Sequence, residues 1–141
     1  MVRLGTKFLM FSSWFRRKSP PLTGAPAVRR QKTYSAQSGY VYQYYYQGHR
    51  PSNSGRGTDF VFDVSADRKT SSPVAVSITD EALASWRNQR GRDLSATERY
   101  AVAKLALFQA FDERETPAAM RETVSVAATD MLAFLAKLGI D

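Results

Sequence analysis

The sequence contains no cysteine, and His49 is its only histidine. Disulfides, thiolate zinc sites, iron–sulfur ligation and a cysteine nucleophile are therefore excluded, as are metal sites built from several histidines. A Ser-His-Asp triad would have one candidate base. We expect neither a metal ion nor another cofactor.

Acidic residues are missing from the first 58 positions, although the whole chain carries 13 Asp and Glu and a net charge of +7. A basic segment without acidic residues attracts phosphate groups, whether these belong to nucleic acid or to an anionic membrane surface. We therefore predict a polyanion-binding set in this part of the chain. Its members are Arg16, Arg17, Lys18, Arg29, Arg30, Lys32, Arg50 and Arg56.

A long apolar run is also missing from the beginning of the chain. The run from Phe8 to Phe15 is interrupted by two serines, whereas a membrane-spanning helix needs about 20 apolar residues. As a helix, residues 1–18 would still place Phe8, Phe11 and Phe15 on one face with basic flanks. That face fits a membrane surface or an organelle-targeting peptide. We expect a cytoplasmic protein, or an organelle-imported one if residues 1–18 are a targeting peptide.

Residues 19–32 have no hydrophobic period and include three prolines and a glycine, which is typical of an extended linker. We predict a basic, mostly disordered arm over residues 1–32 and a single folded domain over residues 33–141. The length of 141 residues supports this division, because it suffices for one ordinary domain but not for two.

The hydrophobic pattern of the folded region changes from a period of two to helical spacing at Thr79. The first part predicts three strands, at about residues 33–47, 59–66 and 73–79. The second part predicts three helices, at about residues 80–90, 96–114 and 117–138, and Ser95 with Glu98 forms a capping box for the second of them. The expected fold is α+β, a three-stranded antiparallel meander packed against three C-terminal helices.

Four tyrosines, Tyr40, Tyr42, Tyr44 and Tyr46, share one face of the first predicted strand. Beside basic residues, such rings can form a stacking platform for unpaired bases. The alternative is that they pack beneath the helices, because the opposite face of the strand is too polar to be buried. Tyr40 and Tyr46, at the two ends, are then the candidates for stacking.

Two titratable residues define an enzyme hypothesis. His49 stands at the start of a predicted loop over residues 48–58, with no carboxylate near it in sequence, and Lys104 points into an apolar arc of the second predicted helix. Neither belongs to a convergent set of reactive groups. We therefore expect a non-enzymatic binding or accessory protein. Its N-terminal arm would contact nucleic acid, a ribonucleoprotein, an acidic protein partner or a larger assembly. The alternatives are a peripheral membrane or organelle-imported protein, and an enzyme of unrecognised type around His49 or Lys104.

Overall fold

A five-stranded sheet packed against three helices forms the domain in the computed structural model, which describes residues 20–141. The strands lie side by side in chain order: β1 Lys32–Ser35, β2 Val41–Pro51, β3 Gly57–Ser65, β4 Ser72–Thr79 and β5 Val124–Val126. The helices are α1 Asp80–Arg90, α2 Ala96–Glu113 and α3 Ala128–Leu138, and a short 3₁₀ helix spans Pro117–Arg121. Strands β1 to β4 are antiparallel, and β5 joins β4 in parallel.

The α+β class is confirmed, but the prediction of a three-stranded antiparallel meander is inexact, because the sheet has five strands and β5 is parallel to β4. The single strand predicted over residues 33–47 is a hairpin of β1 and β2, which pairs Tyr34 with Tyr42. The chain reverses at Gly39, whose φ of 98° lies in a region that glycine enters without steric cost. The alternation of polar and apolar residues continues on both sides of this turn, so the period alone did not reveal it.

The third predicted helix, over residues 117–138, is also wrong in its first half. Pro117 does begin a helical turn, but only as the 3₁₀ helix, and Val124 and Val126 then pair with β4 as strand β5. Branched valines favour a strand over a helix when a partner strand is present. The Arg114 guanidinium satisfies the backbone where the helix stops, donating to the carbonyls of Ala119, Glu122 and Thr123 at 2.9, 2.7 and 3.2 Å.

The first two helices begin where the sequence predicted. The Thr79 hydroxyl accepts a hydrogen bond from the Ala82 N–H and caps α1. The Ser95 hydroxyl accepts one from the Glu98 N–H, and the Glu98 carboxylate accepts one from the Ser95 N–H at 2.8 Å. This reciprocal capping box satisfies two of the N–H groups that a helix start leaves without partners.

The helices cover the tyrosine face of the sheet. Tyr42 is 0% exposed, and its ring stacks on that of Phe111 in α2 with 4.2 Å between the ring centroids. Tyr44 is buried next to Phe62 and Phe108. Burying rings of this size supplies much of the hydrophobic stabilisation of a domain, so these tyrosines belong mainly to the core.

The described part of the predicted arm, residues 20–31, lies against the edge of β2. The N–H of Thr23 donates to the carbonyl of His49 at 2.9 Å, and the N–H of His49 donates back at 2.8 Å. Residues 1–19 lie outside the described part of the chain, and with them Phe8, Phe11, Phe15, Arg16, Arg17 and Lys18. Within residues 20–141, none of the helices combines the length and the apolar character that crossing a bilayer requires.

Candidate functional site

Five of the predicted polyanion-binding residues fall in the described part of the chain, and we call them the basic set. Arg29, Arg30 and Lys32 are exposed along the arm and the start of β1, Arg50 is half-buried near the end of β2, and Arg56 is exposed in the following turn.

The basic set has no ionic partners within residues 20–141. The two salt bridges found there, Arg87–Asp93 and Arg92–Glu98, both connect α1 or the loop after it with residues near the start of α2. Arg50 stands opposite Asp59 in the pairing of β2 with β3, yet the two side chains form no salt bridge. No residue of the basic set therefore forms a salt bridge with a described carboxylate.

Arg29 lies over a tyrosine that the sequence analysis did not select. Its guanidinium carbon is 4.5 Å from the ring centroid of Tyr45, which fits a cation–π contact. Tyr45 pairs with Asp63 across β2 and β3, on the side of the sheet away from the helices. The signal was present in the sequence as the one aromatic residue on the polar side of the tyrosine ladder.

A groove of about 400 Å³ continues this surface toward the turn between β3 and β4, and Tyr45, Arg68 and Lys69 are among its lining residues. The Asp67 carboxylate organises the turn: hydrogen bonds from the backbone N–H groups of Thr70 and Lys69 lower its pKa to about 2. Arg68 and Lys69 are exposed cations of the groove that Tyr45 lines, and the sequence analysis missed them.

Lys104, one centre of the enzyme hypothesis, lies half-buried on α2 with its ammonium 5.9 Å from the ring centroid of Phe108. Burial lowers the pKa of Lys104, and the charge of Lys32 lowers it further.

The two stacking candidates lie apart from Arg29. Tyr40 is 38% exposed and precedes β2. Tyr46 is half-buried on the helix side of the sheet, with its ring centroid 4.7 Å from that of Tyr100. Stacking of bases on these two rings stays a prediction.

His49 lies within β2 and not in the predicted loop, which shrinks to residues 52–56. The register of β2 and β3 shifts between Tyr46 and Gly48, and this bulge turns His49 to the helix side of the sheet. There its Nδ1 lies 3.3 Å from the Tyr46 hydroxyl, its Nε2 lies 3.4 Å from the Thr23 hydroxyl, and its ring packs on Phe60.

A cavity of about 720 Å³ opens beside His49, between the arm, the end of β2 and the start of α2. Its charged or titratable lining residues include Arg50 and Arg99, and none of the described residues around it is Asp or Glu. The Nε atom of Arg99 is buried and has no hydrogen-bond partner in residues 20–141. The cavity is therefore lined by basic residues and, within the described part of the chain, by no acidic ones.

Metal binding receives no support from the described residues, because no group of three or more His, Asp or Glu there could hold an ion. We compared the chain with protein-family models, with curated proteins and with solved structures, and none of them matches.

Proposed function

We propose that this protein is a non-enzymatic binding protein that contacts single-stranded nucleic acid through its basic set. The observation that carries the proposal is that Arg29, Arg30, Lys32, Arg50 and Arg56 have no ionic partner among the described residues. Unpaired surface cations are attracted to phosphate, and on a flexible or exposed segment they recognise charge more than base sequence.

The position of Tyr45 favours a single strand over a duplex. The half-buried Tyr45 ring on the outer side of the sheet supports the Arg29 guanidinium, and an unpaired base can stack on that guanidinium. Arg50 follows five positions later on the same strand, at about 17 Å for a rise of about 3.3 Å per residue. Contacts at both points would hold an extended strand along β2.

Fluorescence anisotropy with a short labelled oligouridylate tests this proposal on the full chain. Charge is best removed by substitution and not by truncation, because Thr23 and His49 are joined by two backbone hydrogen bonds. The double variant Arg29→Gln/Arg30→Gln should bind the oligonucleotide clearly more weakly than the unmodified protein. The reason is that each lost phosphate contact weakens binding regardless of sequence.

A matched control removes the same charge from the helix side of the molecule. Arg121 ends the 3₁₀ helix and Lys137 lies in the last turn of α3, so Arg121→Gln/Lys137→Gln should leave the affinity nearly unchanged. Equal loss in both variants would mean that net charge alone drives association. A third outcome is that the protein binds polyglutamate more tightly than polyglutamine and does not bind the oligonucleotide. That result would indicate an acidic protein partner and overturn the proposal.

A further inference from the structure

The cavity beside His49 has the size of a small-molecule site. Its volume is about 720 Å³, within the range of about 300–1,000 Å³ that is usual for ligand pockets. It is bordered by the arm at Thr23 and Gly24, by β2 at His49 and Arg50, and by α2 at Arg99. Three separate segments of the chain therefore converge on one space.

The polar groups of this cavity favour an anion. Arg99 carries permanent positive charge, and no carboxylate is found among the described lining residues of the cavity. The guanidinium of Arg99 can donate charge-assisted hydrogen bonds to an oxyanion, and these are stronger than hydrogen bonds between neutral groups.

The apolar walls favour a flat ligand. The rings of Tyr46 and Tyr100 lie 4.7 Å apart between centroids and are tilted by 56°. Phe60 forms another wall and packs against the His49 ring at 5.7 Å. Aromatic faces of this kind bind planar groups by stacked or edge-to-face contacts.

We propose that this cavity binds a small aromatic oxyanion, with its carboxylate or phosphate on the Arg99 guanidinium and its planar body against Tyr46, Tyr100 and Phe60. The arm closes one side of the site. This inference is independent of the nucleic-acid proposal, since it rests on Arg99 and the aromatic walls of the cavity and not on the basic set.

The protonation of the tyrosines is consistent with such a ligand. Burial, together with the neighbouring Tyr100, raises the pKa of Tyr46 to about 12, and burial raises the pKa of Tyr100 as well. Both phenols therefore stay neutral near pH 7 and present hydroxyl donors without repelling an anion.

The test is an NMR titration of the full ¹⁵N-labelled chain with four probes. Two are aromatic oxyanions of different origin, 2-naphthoate and adenosine 5′-monophosphate, and either or both should shift the amides of Thr23, His49 and Arg99. The other two are 2-naphthalenemethanol, which lacks the charge, and inorganic phosphate, which lacks the ring. Each of these should bind at least about tenfold more weakly, since one charged hydrogen bond or one ring contact is missing.

Substitutions at Arg99 separate binding from folding. Arg99→Gln should lower the affinity for the aromatic oxyanion about tenfold to a hundredfold. Arg99→Lys should recover part of that affinity because it restores the charge. The control Arg90→Gln removes a cation from the end of α1, away from the cavity, and should have no effect. A thermal melt of each variant verifies that it is folded.

Three results would overturn the inference. The first is that neither aromatic oxyanion shifts the cavity amides at millimolar concentration. The second is that the neutral alcohol or inorganic phosphate binds as tightly as the aromatic oxyanions. The third is that a folded Arg99→Gln variant binds them with unchanged affinity. The amide shifts report on the cavity itself. The cavity proposal can therefore fail while the basic set still binds oligouridylate, and oligouridylate binding can fail while the cavity still binds the aromatic oxyanions.

Discussion

The number of cations in the basic set predicts how strongly the proposed binding of a single strand depends on salt. Each phosphate neutralised on a single strand lowers the slope of log K against log salt by about 0.7. If each of the five residues of the basic set contacts one phosphate, the slope is about −3.5. Raising the salt concentration fourfold, from about 50 to about 200 mM, should then weaken binding by about a hundredfold.

The perturbation that tests this number is Arg50→Gln/Arg56→Gln. Removing two of the five contacts should change the slope to about −2.1, so the variant loses less affinity when salt rises. Anisotropy of labelled oligouridylate at several sodium chloride concentrations measures the slope directly. The variant Arg121→Gln/Lys137→Gln carries the same net charge as this one and should keep the original slope.

Two outcomes would refute the reasoning. A slope close to zero for the unmodified protein would mean that phosphate contacts contribute little to binding. An equal decrease in slope for both double variants would mean that the location of the charges does not matter, and that the basic set is not the interface. Contacts from residues 1–19 would steepen the slope of every variant alike, so the difference between the variants would be preserved.

Three further predictions concern the domain that carries these surfaces. Gly48→Ala should destabilise the fold by about 1–3 kcal/mol in urea denaturation and speed amide exchange at Thr23. The reason is that a Cβ at Gly48 would lie 2.6 Å from the Thr23 carbonyl, at a φ of 121°; an unchanged urea midpoint would contradict this. Phe111→Ala should cost about 3–5 kcal/mol by the same assay, because the ring is fully buried. Burial, and to a smaller extent the neighbouring Tyr100, raises the pKa of Tyr46 from 10.0 to about 12. The folding stability that comes from this shift is present below pH 10 and is lost as the pH rises toward 12. Tyr46→Phe should therefore reduce the loss of stability at alkaline pH, which is measured as the urea midpoint at a series of pH values.

The elements that the sequence predicted well are those determined by neighbouring residues. The capping box of Ser95 and Glu98 and the Thr79 cap are local hydrogen bonds, so the starts of α2 and α1 could be read directly. Strand β3 alternates phenylalanines and valine with polar residues, and its face is correct. Strand β5 could not be predicted in this way, because Val124 and Val126 become a strand only by pairing with β4, which ends 45 residues earlier.

The cavity is harder to predict from the sequence than strand β5, because it depends on the bulge in β2. A strict period of two places His49 on the same side as Tyr45, away from the helices. The register shift between Tyr46 and Gly48 moves His49 to the other side, where it contacts Tyr46. Arg99 reaches the same space from α2, and no spacing in the sequence connects these residues. The cationic character of the first 58 residues, by contrast, was visible because it is a matter of composition.

One backbone pairing positions both proposed binding surfaces. The segment before β1 follows the exposed edge of β2, where Thr23 and His49 exchange two hydrogen bonds, and covering an edge in this way protects it from pairing with another chain. The pairing requires that Gly48 has no side chain, since a Cβ there would meet the Thr23 carbonyl. The same segment places Arg29 over Tyr45 on the outer side of the sheet and forms a wall of the cavity on the inner side. A change that detaches it should therefore weaken the binding of the aromatic oxyanion and of the nucleic acid together, whereas Arg99→Gln should weaken only the first.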